Sequence, residues 1–335
     1  MRPNRNWWIV LGPVSVLAAC AATRETEPVE QEISRVEAAP VLAERFERTI
    51  AWGHGPSELR RSAKVVQSVV YGPNAVAVAA DGRPLVLDRL AGRVVSVDAA
   101  SPLRTVASVA VDSEDLAAGS DGTWLAFSPV RAEAAVFDAQ GKSVGTIAVP
   151  RALRDAVGFD FGPSRRIRVR TGLQEVIEIG SPAAPLALDV VMQSKREGAL
   201  QLADGRGLAV QATEAGVSLL LLSQPAGDDT RSETQKVIAL PGAAAAGRVV
   251  GADANVVCVR TESVSSKPAI SVDRRVVCVN VDSSAVVFDE ALPAPGLYVP
   301  RTDVAFNAGR LAYIRPTDQG LSVTSVQVVG KAVTP

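Results

Sequence analysis

Residues 79–99, AADGRPLVLDRLAGRVVSVDA, hold two short apolar runs separated by turn residues. Asp81-Gly82 opens the stretch, and Leu85-Val86-Leu87 and Val94-Val95 follow as β-branched or aliphatic runs. Asp-Gly supplies the positive φ that a tight hairpin needs, so a two-residue turn is expected at each copy of this signal. Runs of this length, rich in Val and bounded by turn residues, read as strands rather than helices.

The same unit recurs through the chain. AADGRPLVLDR (79–89) is followed by GSDGTWLAFSP (119–129), FGPSRRIRVRT (161–171), LADGRGLAVQA (202–212), GADANVVCVRT (251–261) and AFNAGRLAYIR (305–315). A second β-rich run follows each turn, beginning at Arg93, Glu133, Glu175, Val217, Arg275 and Leu321. Most units carry a further apolar run on each side. Four short strands per unit of roughly 40–50 residues is the pattern of a β-propeller blade. The predicted fold class is therefore all-β, a propeller of six blades with four antiparallel strands each. The last unit lacks a fourth strand of its own, so an N-terminal segment, Lys64–Val70 or Arg48–Trp52, is expected to complete it.

The first unit supports a finer comparison. Pro73-Asn74-Ala75-Val76-Ala77-Val78, then Asp81-Gly82, then Leu85-Val86-Leu87-Asp88, then Arg93, resembles the NHL-type propeller repeat. Asp88 and Arg93 keep that family's spacing, while Ala91 stands where the family has Asn. The later units lack the Asp/Arg pair, so the resemblance covers residues 73–97. It implies an ion pair that locks the hairpin.

The N-terminus reads differently. Arg2 and Arg5 precede an apolar run, Trp7–Leu17, of the length found in signal peptides. Leu17-Ala18-Ala19-Cys20 then resembles the lipobox of bacterial lipoproteins. That resemblance implies cleavage before Cys20, a covalent lipid on Cys20, and tethering to the cell envelope. Ala at position 21 favours the outer membrane. Residues 20–45, with five glutamates between Glu25 and Glu37 and prolines at 28 and 40, read as a flexible acidic spacer. Such a spacer spans on the order of 25–30 Å root-mean-square. The expected organisation is a signal peptide over 1–19, the lipidated Cys and spacer over 20–45, and the propeller over 46–335.

With 35 basic and 36 acidic residues, the chain has no basic excess with which to hold nucleic acid. Only six of the basic residues are Lys, and the Arg bias reads as compositional rather than as phosphate binding. Once Cys20 carries lipid, Cys258 and Cys278 remain as an even pair in an oxidising compartment. One disulfide is expected, with two buried thiols as the alternative.

Chemistry is sparse. His54, in Trp-Gly-His-Gly-Pro, is the single histidine, and it reads as an exposed loop residue. Imidazole metal sites and Ser-His-Asp arrangements are thereby excluded. Asp115, Asp160 and Asp303 are the carboxylates placed for the channel, and a Ca²⁺ site would have to rest on them. No resident metal or cofactor beyond the lipid is expected. Leu297, Tyr298 and Val299, between Pro295 and Pro300, form a candidate interaction knuckle, with a packed inter-blade linker as the competing reading. The expectation from these residues is a non-enzymatic, membrane-tethered propeller that binds an envelope protein partner. Two alternatives remain: a carboxylate- or Ca²⁺-dependent hydrolase or lactonase, and a propeller that binds sugars or peptidoglycan fragments.

Overall fold

The computed structural model describes residues 44–328, apart from 63–69, 154–155, 163–164, 224–231, 243, 267–270 and 295. Leu17, Ala18, Ala19, Cys20 and nearly all of the acidic spacer lie outside the described residues, as does most of the Lys64–Val70 segment. No described helix is long and apolar enough to cross a membrane.

The described strands form six sheets. In chain order, β1 (Arg45–Ala51) comes first and stands apart. Blade one holds β2 (Val76–Val78), β3 (Pro84–Asp88), β4 (Arg93–Ser96) and β5 (Arg104–Ser108). Blade two holds β6 (Asp115–Ala118), β7 (Trp124–Ser128), β8 (Glu133–Phe137) and β9 (Ser143–Ala148). Blade three holds β10 (Gly158–Phe161), β11 (Ile167–Arg170) and β12 (Glu175–Ser181). Its fourth position is divided between β13 (Ala184–Pro185) and β14 (Arg196–Glu197), on either side of a short helix α1 (Leu188–Gln193). Blade four holds β15 (Leu200–Gln201), β16 (Gly207–Thr213), β17 (Gly216–Leu222) and β18 (Thr234–Ala239). Blade five holds β19 (Ala246–Asp253), β20 (Val256–Ser265), β21 (Ser271–Asn280) and β22 (Val286–Leu292). Blade six holds β23 (Val304–Asn307), β24 (Arg310–Pro316) and β25 (Gly320–Gln327).

The ring closes with β1, which pairs antiparallel with β25 from Arg45↔Val326 to Ala51↔Gly320. The chain thus completes its last blade with its first strand, which overlaps the Arg48–Trp52 candidate. Blade three keeps the expected four strand positions. Its outer edge is interrupted by α1, which buries Val191 and leaves Leu188 and Met192 exposed.

The repeated Asp-Gly turns are one residue longer than expected. In blade one, Ala79 pairs with Arg83 around Ala80-Asp81-Gly82, and the Gly82 N–H returns to the Ala79 carbonyl at 2.8 Å. Asp81 Oδ1 accepts from the Arg83 N–H at 3.0 Å, and Gly82 takes φ +85°. Asp121-Gly122 and Asp204-Gly205 repeat this arrangement. The aspartate side chain caps the loop from within, and the glycine supplies the left-handed residue of a three-residue hairpin. Blade six keeps the two-residue form, with Ala308 and Gly309 both at positive φ between Asn307 and Arg310.

Apolar residues pack between blades. Phe127, Ile147, Phe159 and Ile177 join blades two and three, and Leu219, Ile238, Val257 and Val277 join blades four and five. The junction of blades three and four adds a polar clamp. Gln174 Nε2 donates to the Val210 carbonyl at 2.7 Å, and its Oε1 accepts from the Val210 N–H at 2.6 Å.

In blade one, Asp88 is fully buried and Arg93 Nε donates to its Oδ2 at 3.0 Å, with the two residues directly opposed on β3 and β4. Arg93 also donates to the Pro56 and Glu58 carbonyls. The pair therefore pins the segment that follows β1 onto blade one.

Candidate channel site

The innermost strands β2, β6, β10, β15, β19 and β23 surround the central channel. A cavity of about 440 Å³ lies where these strands finish and turn outward. Phe159, Phe161, Arg168, Arg170, Gln201 and Asp253 are among its walls. This volume falls within the range of sites that hold small molecules.

The three carboxylates predicted for the channel are all there, but they do not converge. Asp160, on β10, receives a two-pronged contact from Arg168, Nε to Oδ1 at 3.1 Å and Nη2 to Oδ2 at 2.9 Å. Asp303, just before β23, is held by Arg260 Nη1 and Arg274 Nη1, each at 2.6 Å. Asp115, at the start of β6, accepts from Thr302 Oγ1 at 2.6 Å and from the Leu116 N–H at 3.0 Å. It is 1% exposed, and burial pushes its carboxyl above the ordinary range, against the pull of Thr302, Arg301 and Arg170.

Among the described residues, no group of three or more His, Cys, Asp or Glu lies close enough together to hold a metal ion. Ca²⁺ needs six to eight oxygen ligands. Here the oxygens of Asp160 and Asp303 face guanidinium groups instead. The residues present do not fit a Ca²⁺ site.

Arginine dominates the channel. Arg168, Arg170, Arg248, Arg260, Arg274 and Arg301 all take part in contacts or electrostatic couplings around it. Four are engaged. Arg168 binds Asp160 and the Gln201 side chain. Arg260 binds Asp303 and Glu262, and Arg274 binds Asp303 and the Pro293 carbonyl. Arg301 donates to the Ala156 carbonyl and lies 3.6 Å from Glu114.

Arg170 and Arg248 differ from these four. Arg170 holds no carboxylate: its Nη1 donates to the Val249 carbonyl at 3.3 Å, and its Nε is buried without a partner, as are those of Arg260, Arg274 and Arg301. The Arg248 side chain makes no hydrogen bond or ion pair with any described residue, though Asp303 and Asp115 are within its electrostatic reach. Burial, followed by repulsion from Arg260 and Arg170, lowers its pKa to about 10.

Sequence reasoning set the arginines aside as compositional. A signal was present in Ile167-Arg168-Val169-Arg170 and Gly247-Arg248-Val249, where Arg alternates with aliphatic residues inside strands packed on both faces. A charge in that setting must find a partner or a ligand.

The other named residues are placed as follows. Cys258 and Cys278 are fully buried, directly opposed on β20 and β21, and joined by a disulfide. His54 is exposed in its loop. Tyr298 does not project as a knuckle: its hydroxyl donates to the Pro73 carbonyl at 3.0 Å. Leu297 is half-buried and its N–H bonds the Pro316 carbonyl, so of the three only Val299 is exposed. This segment is a packed linker between blades.

No family model matches the chain, and no curated protein matches it. Among solved structures, a streptogramin B lyase shares 10% identity over 84% of this chain and 98% of its own, with a TM-score of 0.46. A virginiamycin B lyase from Staphylococcus aureus shares 8% over 86% of this chain and 100% of its own, with a TM-score of 0.45. A gluconolactonase from Xanthomonas campestris shares 12% over 76% of this chain and 86% of its own, with a TM-score of 0.38. At these values the likeness is one of fold and says nothing of a reaction. These proteins are named as enzymes, so the expectation of a non-enzymatic chain is set aside, with no activity carried from them to this chain. That expectation rested on the scarcity of histidine, which excludes imidazole chemistry but leaves carboxylate and guanidinium chemistry open.

Proposed function

We propose that the protein is a propeller hydrolase of the lactonase kind, which takes a small polar substrate into the channel cavity and works through its own side chains. The observation that carries this reading is Asp253. It is among the cavity's walls, and its carboxylate makes no ion pair or side-chain hydrogen bond to any described residue, whereas Asp160 and Asp303 are held by arginines.

A free carboxylate in a cavity that also holds a guanidinium can open an ester ring. Asp253 takes a proton from water as the water oxygen adds to the acyl carbon. Arg170 offsets the charge that develops on the acyl oxygen. The acyl–oxygen bond then breaks, the leaving alkoxide takes the proton back from Asp253, and the product is a hydroxy acid. General-base action of this kind contributes about 10²–10⁴-fold.

The test is hydrolysis of a panel of five- and six-membered lactones by the full-length protein in detergent, with a chelator present. Turnover should survive the chelator and fall about 100-fold or more in Asp253→Asn. No turnover across the panel, or an unchanged rate in the variant, overturns the reading.

We also propose that Cys20 carries lipid and holds the propeller at the outer membrane. The Leu17–Cys20 tetrad supports this, and Cys20→Ala should move the protein from the membrane pellet to the soluble fraction. Retention in the pellet overturns the proposal.

A further inference from the structure

We propose that the space between blades one and two is a second binding site, apart from the channel, for a small apolar molecule that carries a carboxylate. This goes beyond the hydrolase reading and does not depend on it.

A cavity of about 250 Å³ lies beside the Asp81-Gly82 and Asp121-Gly122 turns. Leu85, Ser96, Arg104 and Val106 of blade one wall one side, and Trp124 and Ala139 of blade two wall the other. Ser120 alone is also a wall of the channel cavity. The space is smaller than sites for drug-sized ligands, so its ligand has about the bulk of a single ring.

Ser96 is out of place for a core position. It is directly opposed to Leu85, so it shares the face of blade one that packs against Trp124. Val136, Leu221, Val279 and Val326 hold the corresponding place in blades two, four, five and six. Ser96 is 2% exposed, and its Oγ has no hydrogen-bond partner among the described residues. Trp124, on the facing wall, repeats the pattern: it is 2% exposed and its Nε1 is buried without a partner. Its ring is stacked on Phe137 with centroids 4.2 Å apart, so packing fixes the indole. A buried donor without an acceptor is unfavourable, and a ligand oxygen relieves it.

The charge of the ligand follows from the remaining walls. Asp81 is paired with Arg83, and Asp121 with Arg165. Arg104, opposed to Ser96 on β5, is exposed and makes no hydrogen bond or ion pair with any described residue. An indole N–H and a guanidinium only donate, and a serine hydroxyl can donate as well. Three donors among aliphatic walls suit an apolar body with a carboxylate, and they offer a cation nothing.

The experiment is calorimetric titration of the full-length protein in detergent with benzoate, benzyl alcohol and benzylamine, together with melting curves. Benzoate should bind saturably, benzyl alcohol about tenfold or more weakly, and benzylamine not at all. Ser96→Ala should weaken benzoate about tenfold. It should also raise the melting temperature of the unliganded protein, because it removes a buried hydroxyl that has no partner. Trp124→Phe keeps a ring on Phe137, loses the N–H, and should weaken benzoate to a similar degree. Lactone turnover in Ser96→Ala should match the parent's, which separates this site from the channel. No benzoate binding, equal binding of benzylamine, or unchanged benzoate affinity in both variants overturns the proposal. So does a lower melting temperature in Ser96→Ala, which would mean that water already satisfies the hydroxyl, or a loss of turnover in step with benzoate affinity.

Discussion

Thr302 Oγ1 donates a 2.6 Å hydrogen bond to Asp115 Oδ1, tying the lead-in to blade six to the first residue of blade two across 187 positions of chain. Thr302 also bridges Ala75 beside blade one. The channel rim is therefore cross-linked where the ring closes, and the link uses a carboxyl that burial makes reluctant to ionise.

That reluctance gives a pH dependence. The folded state holds the Asp115 proton more tightly than the unfolded chain, whose aspartates titrate near about 3.9. Stability from this group is present at low pH and is lost as pH rises through the folded value. Asp115→Asn keeps the acceptor for Thr302 and cannot ionise. Its melting temperature should exceed the parent's by a margin that grows from about pH 4 upward, reaching roughly 2–4 °C for each 1 kcal/mol relieved. A margin that stays constant with pH would count against this assignment.

Gly158→Ala tests the path of Arg170. The new methyl would collide with the far end of a flexible side chain rather than with backbone, so the fold should survive with a loss of about 1 kcal/mol or less. Arg170 must leave the Val249 carbonyl. Lactone turnover should fall while the circular dichroism spectrum stays unchanged. Wild-type function in this variant would show that the position of Arg170 does not matter.

The closing strand makes a larger contribution. β1 pairs with β25 over seven residues, and Ile50 is packed among Leu321, Val323 and Ile314. Ile50→Ala should cost about 2–4 kcal/mol, judged from core truncations elsewhere. Deleting residues 45–51 should expose the β25 edge and produce aggregation, read by size-exclusion chromatography. A deletion variant that stays monomeric and melts as the parent does would mean that the ring does not depend on this closure.

Cys258 and Cys278 close a loop of 20 residues within a hairpin of ten paired positions. In the chain-entropy view, removing the bond as Cys258→Ala with Cys278→Ala costs about 3 kcal/mol. The double variant should therefore be less stable in urea yet still folded, because the remaining pairs and the flanking blade cores persist. Complete unfolding would show that the bond, rather than the blade packing, holds blade five together.

Much of the fold was legible because its signals are local. Asp81-Gly82, Asp121-Gly122 and Asp204-Gly205 mark where strands reverse, and the Val-rich runs after them mark the strands. The blade count and the need for an N-terminal closing strand follow from that repetition. The extra loop residue was not legible, since Asp-Gly serves two- and three-residue hairpins alike and the Asp81 cap selects between them. Blade three's divided edge was hidden because α1 is six residues long, too short for a helical period to emerge.

The site was less legible for a different reason. Asp115, Asp160 and Asp303 were placed in the channel from strand position alone, but which group faces each of them depends on the packing of blades distant in sequence. Arg260 and Asp303 are 43 residues apart, and Arg170 and Val249 are 79 apart. Nothing local distinguishes an arginine that neutralises a carboxylate from one that holds none, so the settings of Arg170, Arg248 and Asp253 emerge only from the folded ring.

The most direct measurement is a crystal structure of the Asp253→Asn variant soaked with a lactone that the parent hydrolyses. The expected result is difference density in the channel cavity, with the ring carbonyl within hydrogen-bond distance of Arg170 and the acyl carbon facing residue 253. An empty cavity at a saturating concentration, or a ligand bound elsewhere on the propeller, would contradict a channel site for this substrate.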